Sequence, residues 1–292
     1  MSKNFASVDD VAALVAESGY VAEEEISTAL YLAIKLGRPL LVEGFAGVGK
    51  TEIAKVMATA LDAELIRLQC YEGLDAASAL YEWNYAKQIL RVRLEEGKAT
   101  DADALEAQIF SEDYLLERPL LKALRSEKTP VLLIDEIDRA DEEFEAFLLE
   151  TLAEFQVSIP ELGTIRAKQA PLVVLTSNRV RELGEALRRR CLYLWIDYPS
   201  LEKEQAIVAQ HFPDIDARLA ENICRFVAKL REIELDKRPG VAETLDWAEA
   251  LLALHIDHLD EHTVKQTIGC LLKSRRDTNT LLPQLSALVS ND

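Results

Sequence analysis

At 292 residues, 49% hydrophobic and 29% charged, the chain is long enough to bury a core in one large domain or two ordinary ones. No apolar run reaches the roughly eighteen residues of a membrane span, and the scattered Cys70, Cys191, Cys224 and Cys270 exclude a C-x-x-C zinc or disulfide framework. A net charge of −18 repels nucleic acid and anionic lipid at long range.

The opening MSKNFASVDD lacks a signal-peptide pattern, so a cytoplasmic location is the default expectation. Ser7-Val-Asp-Asp predicts a capped helix with acids in its first turn. A second helical stretch runs from Ala22 to Leu36 and stops near Gly37. Short apolar runs at 39–43, 64–68, 131–135, 172–176 and 192–196 read as buried strands separated by helical patterns. That alternation predicts an α/β fold, a five-stranded parallel sheet between helices. The span 71–118 has room for an insertion, and "QVSIPELGTIRA" (156–167) predicts a β-hairpin with Glu161 at its tip. Beyond Pro199 only helical patterns remain, at Leu201–Phe212, Ala217–Ile233, Ala242–His258 and Thr263–Leu272. The expected division is an α/β domain over 1–199 and a small all-α domain over 200–292.

Between the first strand and an Ala-rich helix stands Gly44-Phe-Ala-Gly-Val-Gly-Lys-Thr51, a full match to G-x-x-x-x-G-K-[ST]. Glycines let successive backbone N–H groups turn inward around a polyphosphate, and the following helix presents its positive end to the same anion. Gly44, Ala46, Gly47, Val48, Gly49, Lys50, Thr51 and Glu52 are therefore the expected nucleotide contacts. Lys50 would reach the outer phosphates, and the Thr51 hydroxyl would ligate Mg²⁺.

The third strand ends in Asp135-Glu136 and opens a run with seven acids among the eleven residues to Glu145. A buried strand delivers its last residues to the sheet edge where such a ligand lies. Asp135 would hold the Mg²⁺, and Glu136 would polarise the attacking water as general base. The remaining acids read mostly as surface. Phe144, Phe147, Leu148, Thr151, Leu152 and Phe155 make one apolar helical face, with Asp141, Glu142, Glu143 and Glu145 at its start or on its wet side. Asn178, closing the fourth strand, would hold the attacking water or touch the γ-phosphate. Arg188, Arg189 and Arg190 precede the last strand. An arginine offered to a neighbour's γ-phosphate stabilises transition-state charge; the alternative is a solvated basic helix end.

These motifs, in this order with a helical region after them, resemble an AAA+ ATPase. "EGFAGVGKTE", "LIDEIDRADEEFEAFLLE", "FQVSIPELGTIRA", "LTSN" and "ALRRRCLYLW" are similar to the MoxR family, most of all to its CoxD branch, associated with maturation of molybdenum-containing carbon monoxide dehydrogenase. The resemblance implies an AAA+ P-loop domain with a hairpin insertion, followed by a helical lid. It also implies a homo-oligomeric ring, a hexamer, with ATP at each subunit interface. Expected partners are a von Willebrand A domain protein and a metalloenzyme client. It makes Arg190, with Arg189 next, the arginine acting in trans, and lets Tyr20 and Val21 cup the adenine, with simple packing as the alternative. The family often places an arginine early in a lid helix. The matching stretch, Arg238 to Trp247, has Ala242 or Glu243 at that place, which leaves Arg238 as a displaced substitute.

His255, His258 and His262 stand at i, i+3, i+7 and would line a metal site if they shared one helical face; a helix boundary at Asp260-Glu261 favours surface histidines instead. A second functional reading is an AAA+ motor on nucleic acid, supported by Arg166 and Lys168 beside the hairpin and opposed by Glu161 and the total charge.

Overall fold

The structure, a computed structural model, describes residues 5–96 and 101–289. In chain order its strands are β1 (Leu40–Gly44), β2 (Leu65–Gln69), β3 (Tyr81–Trp83), β4 (Leu115–Glu117), β5 (Val131–Asp135), β6 (Gln156–Ile159), β7 (Gly163–Arg166), β8 (Leu172–Ser177) and β9 (Leu192–Ile196). The five apolar runs form one sheet in the order β2-β5-β8-β1-β9. Its β2·β5, β5·β8 and β8·β1 pairs are parallel. β1, β5 and β8 are buried along their whole length, which is why they read as unbroken apolar runs: both faces lie under helices. β2, at the edge, alternates buried and exposed residues.

Register decides what meets at the carboxyl edge. Gln69 lies opposite Asp135, Ile134 opposite Leu175, and Glu43 opposite Ser177. The last residues of four strands therefore share one rim, where ligands of open parallel sheets bind.

Two excursions leave the alternating pattern. β6 and β7 pair antiparallel as the expected hairpin, with Glu161 at its turn. The 71–118 span holds the antiparallel pair β3·β4 and the helices Ala76–Leu80, Tyr85–Glu95 and Ala102–Ile109.

The chain divides into two compact units. The first comprises Met1–Leu14, Glu24–Glu43 and Thr51–Leu194. Its core packs Leu41, Leu132, Ile134, Val173 and Leu175 of the sheet with Phe144, Leu148 and Leu152 of the helix Glu142–Glu154. The second comprises Val15–Glu23, Gly44–Lys50 and Trp195–Asp292. Its centre is Trp247, fully buried against Phe226, with the indole N–H donated to Thr267 Oγ1 at 2.8 Å.

Within the second unit, three helices are tied by one buried ion pair. Arg231, on Ala217–Glu232, donates both terminal nitrogens to Glu204 of Leu201–His211 at 2.7 Å each. The Thr244 hydroxyl, on Val241–Ala253, adds a bond of 2.7 Å to the same carboxylate. Glu204 is 0% exposed and Arg231 8%. Glu204→Ala is expected to destabilise this unit by about 3–5 kcal/mol, because it strands a buried guanidinium; urea unfolding followed by tryptophan fluorescence measures it.

The metal alternative for the histidines fails on backbone geometry, while the helix boundary expected at Asp260-Glu261 is present and all three histidines are exposed. The helix begun at Val241 ends at Ala253, and His255 adopts φ 56°, so His255 and His258 lie outside it. His262 belongs to a new helix, Glu261–Thr267, whose cap Asp260 accepts the Thr263 N–H at 2.7 Å. The shared face that metal ligation required does not form. Among the described residues no group of three or more His, Cys, Asp or Glu side chains could hold a metal ion.

Candidate active site

The rim of the first unit's sheet gathers a polar cluster. Asp135, 3% exposed at the end of β5, accepts hydrogen bonds on both oxygens. Oδ1 takes the Thr176 hydroxyl at 2.5 Å and the Thr51 hydroxyl at 3.1 Å. Oδ2 takes Arg67 through Nε at 3.1 Å and Nη2 at 2.5 Å. Arg67 is held in turn by Gln69 Oε1, two residues on along β2. A hard-oxygen carboxylate beside a hydroxyl at the start of a P-loop helix is a donor set that Mg²⁺ takes, so these residues fit the metal.

Glu136 follows in the left-handed region, φ 55° and ψ 48°, where few non-glycine residues sit and where such strain gathers at functional sites. Its N–H donates to Thr176 Oγ1 at 2.9 Å, so one threonine fixes both acids. Its carboxylate meets Arg139 Nε at 2.7 Å and, at a loose 3.5 Å, the Asn178 side-chain amide. The Cys70 thiol, whose N–H donates to the Asp135 carbonyl at 2.8 Å, is pushed up to about 12 by burial and by Asp135, Asp138 and Glu136. It is inert at neutral pH.

Two of the acids assigned to the surface are in fact buried. Asp138 is 2% exposed. Its Oδ2 accepts the backbone N–H groups of Asn178 at 3.2 Å and Val180 at 2.8 Å, while Oδ1 is buried without a partner. Glu145, 4% exposed, accepts the Gly184 N–H at 2.8 Å and pairs with Arg181. Both were misread because helical spacing locates the apolar face and says nothing of a loop packed over the polar one. Asp141 behaves as expected, capping the helix with a 2.9 Å bond from the Phe144 N–H.

Asn178 is thus attached to Asp138 by its main chain. Asp138→Ala is expected to lower turnover at least tenfold with nucleotide affinity retained, since one lost anchor frees the asparagine. Asp138→Asn keeps an oxygen acceptor for both amides and should restore most of the turnover. Equal turnover in wild type and the alanine variant would remove Asp138 from the site.

The phosphate loop belongs to the second unit. Gly44 closes β1 because a Cβ there would lie 2.2 Å from the Ile196 carbonyl oxygen. Val48 and Lys50 are buried, Gly47 and Gly49 half-buried, and Ala46 exposed. Lys50, 6% exposed, donates to the loop's own carbonyls, Gly44 at 3.0 Å and Phe45 at 2.5 Å. Thr51, next in the same helix and part of the first unit, donates its hydroxyl to Asp135 of that unit. Glu52 points outward and pairs with Lys55 at 2.9 Å. Tyr20 and Val21 are half-buried in the segment Val15–Glu23 of the same unit as the loop.

The arginine triplet ends the helix Glu185–Arg190, and all three side chains are exposed. Arg188 lies 5.9 Å from the Tyr193 ring, Arg189 pairs with Glu185, and Arg190 donates to the Leu149 carbonyl at 2.8 Å. Arg38 caps this helix through the carbonyls of Arg189, Arg190 and Cys191.

Sequence reading missed Arg67, Arg139, Asp138, Thr176 and Arg38. Arg67 alone left a trace, as a cation in an edge strand otherwise apolar on its buried side. Arg139 pairs locally with Glu136, a contact that no spacing rule singled out, and the other three act through contacts between segments far apart in the chain.

A strand–glycine loop–helix whose helix opens with Lys-Thr, and a strand ending in Asp135 and followed by Glu136 two places away in the β2-β5-β8-β1-β9 sheet, with β8 between, define a P-loop ATPase of the AAA+ class. The family model for the AAA domain, dynein-related subfamily, matches residues 39–191, more than half of the chain, and the chain belongs to that family. It is similar to the gas vesicle ATPase GvpN of Haloferax mediterranei, 27% identical over 263 residues that cover 86% of this chain and 72% of that one. It is also similar to the denitrification regulatory protein NirQ of Stutzerimonas stutzeri, 26% identical over 71% of this chain and 69% of that one. Membership of that family makes the chain an AAA+ ATPase. In fold it matches a variant of Thermotoga maritima RuvB with a TM-score of 0.50 and 18% identity, over 85% of this chain and 69% of that one.

Proposed function

We propose that this ATPase works as a hexameric ring whose hydrolysis cycle remodels a protein client, and that the client is a metalloenzyme of the molybdenum hydroxylase kind, as in the CoxD branch. The observation that carries the hydrolytic part is the rim cluster: Asp135 accepts from Thr51 and Thr176, Thr176 accepts the Glu136 N–H, and the Asn178 amide lies 3.5 Å from the Glu136 carboxylate. An acid and an amide side by side can both touch one water, the acid accepting its proton while the amide orients it.

In this reading Lys50 and the loop amides bind the polyphosphate. Thr51 and Asp135 hold Mg²⁺, which neutralises charge on the phosphates. Glu136 takes the proton of the attacking water while Asn178 orients it. Arg190, with Arg189 as its alternate, stabilises the transferring phosphoryl group of the adjoining subunit. Tyr20 and Val21 cup the adenine, and residues 200–292 act as the lid. The partner that links ring to client would be a von Willebrand A domain protein. The names of GvpN and NirQ, which concern a gas vesicle and denitrification, favour assembly or maturation tasks over one fixed substrate.

The nucleic-acid reading loses its support at the hairpin. Arg166 is engaged by Gln156 at 2.8 Å and Lys168 by Glu127, so neither offers a ready cation to a backbone phosphate. Two measurements test the proposal. Molybdenum content of a hydroxylase co-produced with the wild-type chain should exceed that obtained with Glu136→Gln, and equal content would overturn the maturation role. Phosphate release should not respond to added DNA, whereas a salt-sensitive rise would restore the motor reading.

A further inference from the structure

The stretch that carries Ala242 and Glu243 where the family often has an arginine sits directly on the phosphate loop. Both segments belong to the second unit. The backbone N–H of Ala242 donates to the Gly47 carbonyl at 3.1 Å. Ala242 lies in the first turn of the helix Val241–Ala253, where N–H groups have no partner within the helix, so the loop satisfies one of them. The contact is too close for side chains. A Cβ on Gly240 would lie 2.6 Å from the Ala46 carbonyl oxygen and 2.8 Å from Gly47 Cα. A Cβ on Gly47, at φ +76°, would lie 2.8 Å from Glu243 Oε2 and 3.2 Å from Gly240 Cα. Glu243 is already committed: its Oε2 accepts the Gly240 N–H at 2.9 Å, capping the helix.

The helix start is in turn held from behind. Arg231 donates Nε to the Pro239 carbonyl at 2.8 Å, and the Thr244 hydroxyl, bonded to Glu204, lies 3.1 Å from the Gly240 carbonyl. The Tyr198 ring lies under the Arg231 guanidinium at 4.7 Å and stacks on Phe45, the loop's second residue, at 4.6 Å. The loop is therefore gripped at Phe45 and again at Ala46–Gly47 by parts that converge on one buried ion pair.

We infer that Gly240 and the Ala242 N–H are positioning residues for the phosphate loop, forming a backbone clasp through which the C-terminal helices respond to bound nucleotide without an arginine at that position. The inference rests on the nucleotide-binding reading of the loop. Glycines give the loop its freedom, and a loop free to turn its amides inward is also free to turn them away. Fixing the outward-facing Gly47 carbonyl removes part of that freedom before the ligand arrives. By reciprocity, a ligand that orders the loop must also tighten the helix start.

Gly240→Ala tests this, with Gly269→Ala, where a Cβ meets nothing within 4 Å, as the matched control. Affinity for a fluorescent ADP in the absence of turnover should fall at least tenfold in Gly240→Ala and stay unchanged in Gly269→Ala, with circular dichroism the same in both. Hydrogen exchange at the Ala242 amide should slow on adding ADP to the wild-type protein. If Gly240→Ala fails to fold, Ala242→Pro, which removes the donor where the helix has no use for it, takes its place and should show the same loss. ADP affinity equal to wild type in the folded variant would overturn the clasp while leaving the loop's function standing. No ADP binding by the wild-type chain would sink both.

Discussion

Glu136→Gln is expected to bind ATP as the wild type does and to lose turnover by about 10²- to 10⁴-fold, the range a positioned general base contributes. The substitution is nearly isosteric. The backbone bond from the Glu136 N–H to Thr176 does not involve the side chain, so the strained φ of 55° and the Asp135 contacts survive it. What disappears is the carboxylate beside Asn178 that is proposed to take a proton from water. The side chain also meets Arg139 at 2.7 Å, and glutamine keeps an oxygen for that bond. Nucleotide affinity by equilibrium binding and phosphate release by a coupled assay separate the two effects. Wild-type turnover in this variant would defeat the assignment of Glu136 as the base.

Arg190→Ala is expected to cost about 10³- to 10⁵-fold in turnover if the residue acts on the adjoining subunit's nucleotide. The side chain is exposed at a helix end and bonded only loosely to the protein's own surface, through the Leu149 carbonyl. Reaching a neighbour means exchanging that one neutral hydrogen bond for a charged partner. Arg190→Lys keeps the charge but not the planar fork, and should recover a small part of the activity. Arg189→Ala should cost less, since its guanidinium is paired with Glu185 in its own helix. The decisive measurement mixes subunits: Arg190→Ala subunits should hydrolyse their own ATP when a wild-type neighbour supplies the arginine. Activity that falls only in proportion to the wild-type fraction, with no such rescue at any ratio, would count against action in trans.

The two predictions lie on opposite sides of what a sequence displays. Gly44–Thr51 and Asp135-Glu136 are local: the turn chemistry of glycines and the end of a buried strand are written in consecutive residues, and the three central strands were visible because full burial demands unbroken apolar runs. The cap at Asp141 and the apolar face from Phe144 to Leu152 were legible for the same reason. The new helix start at Asp260-Glu261, which kept the three histidines from sharing a face, was legible too, as a local cap. The end of the helix before it was not: its pattern runs on to His258, and the backbone leaves it at Ala253 because tertiary packing sets where a helix stops.

The chain's own residues, read in order, determined the α/β alternation, the phosphate loop, the two acids and the absence of any long apolar span. Each depends on neighbours within one turn or one strand. Only the tertiary structure decided that Arg67 lies on Asp135, that Asp138 holds Asn178 in place, and that Gly240 fits against Gly47. Those contacts join residues 40 to nearly 200 positions apart, and their worth comes from burial and from the exclusion of a Cβ, which no local pattern encodes.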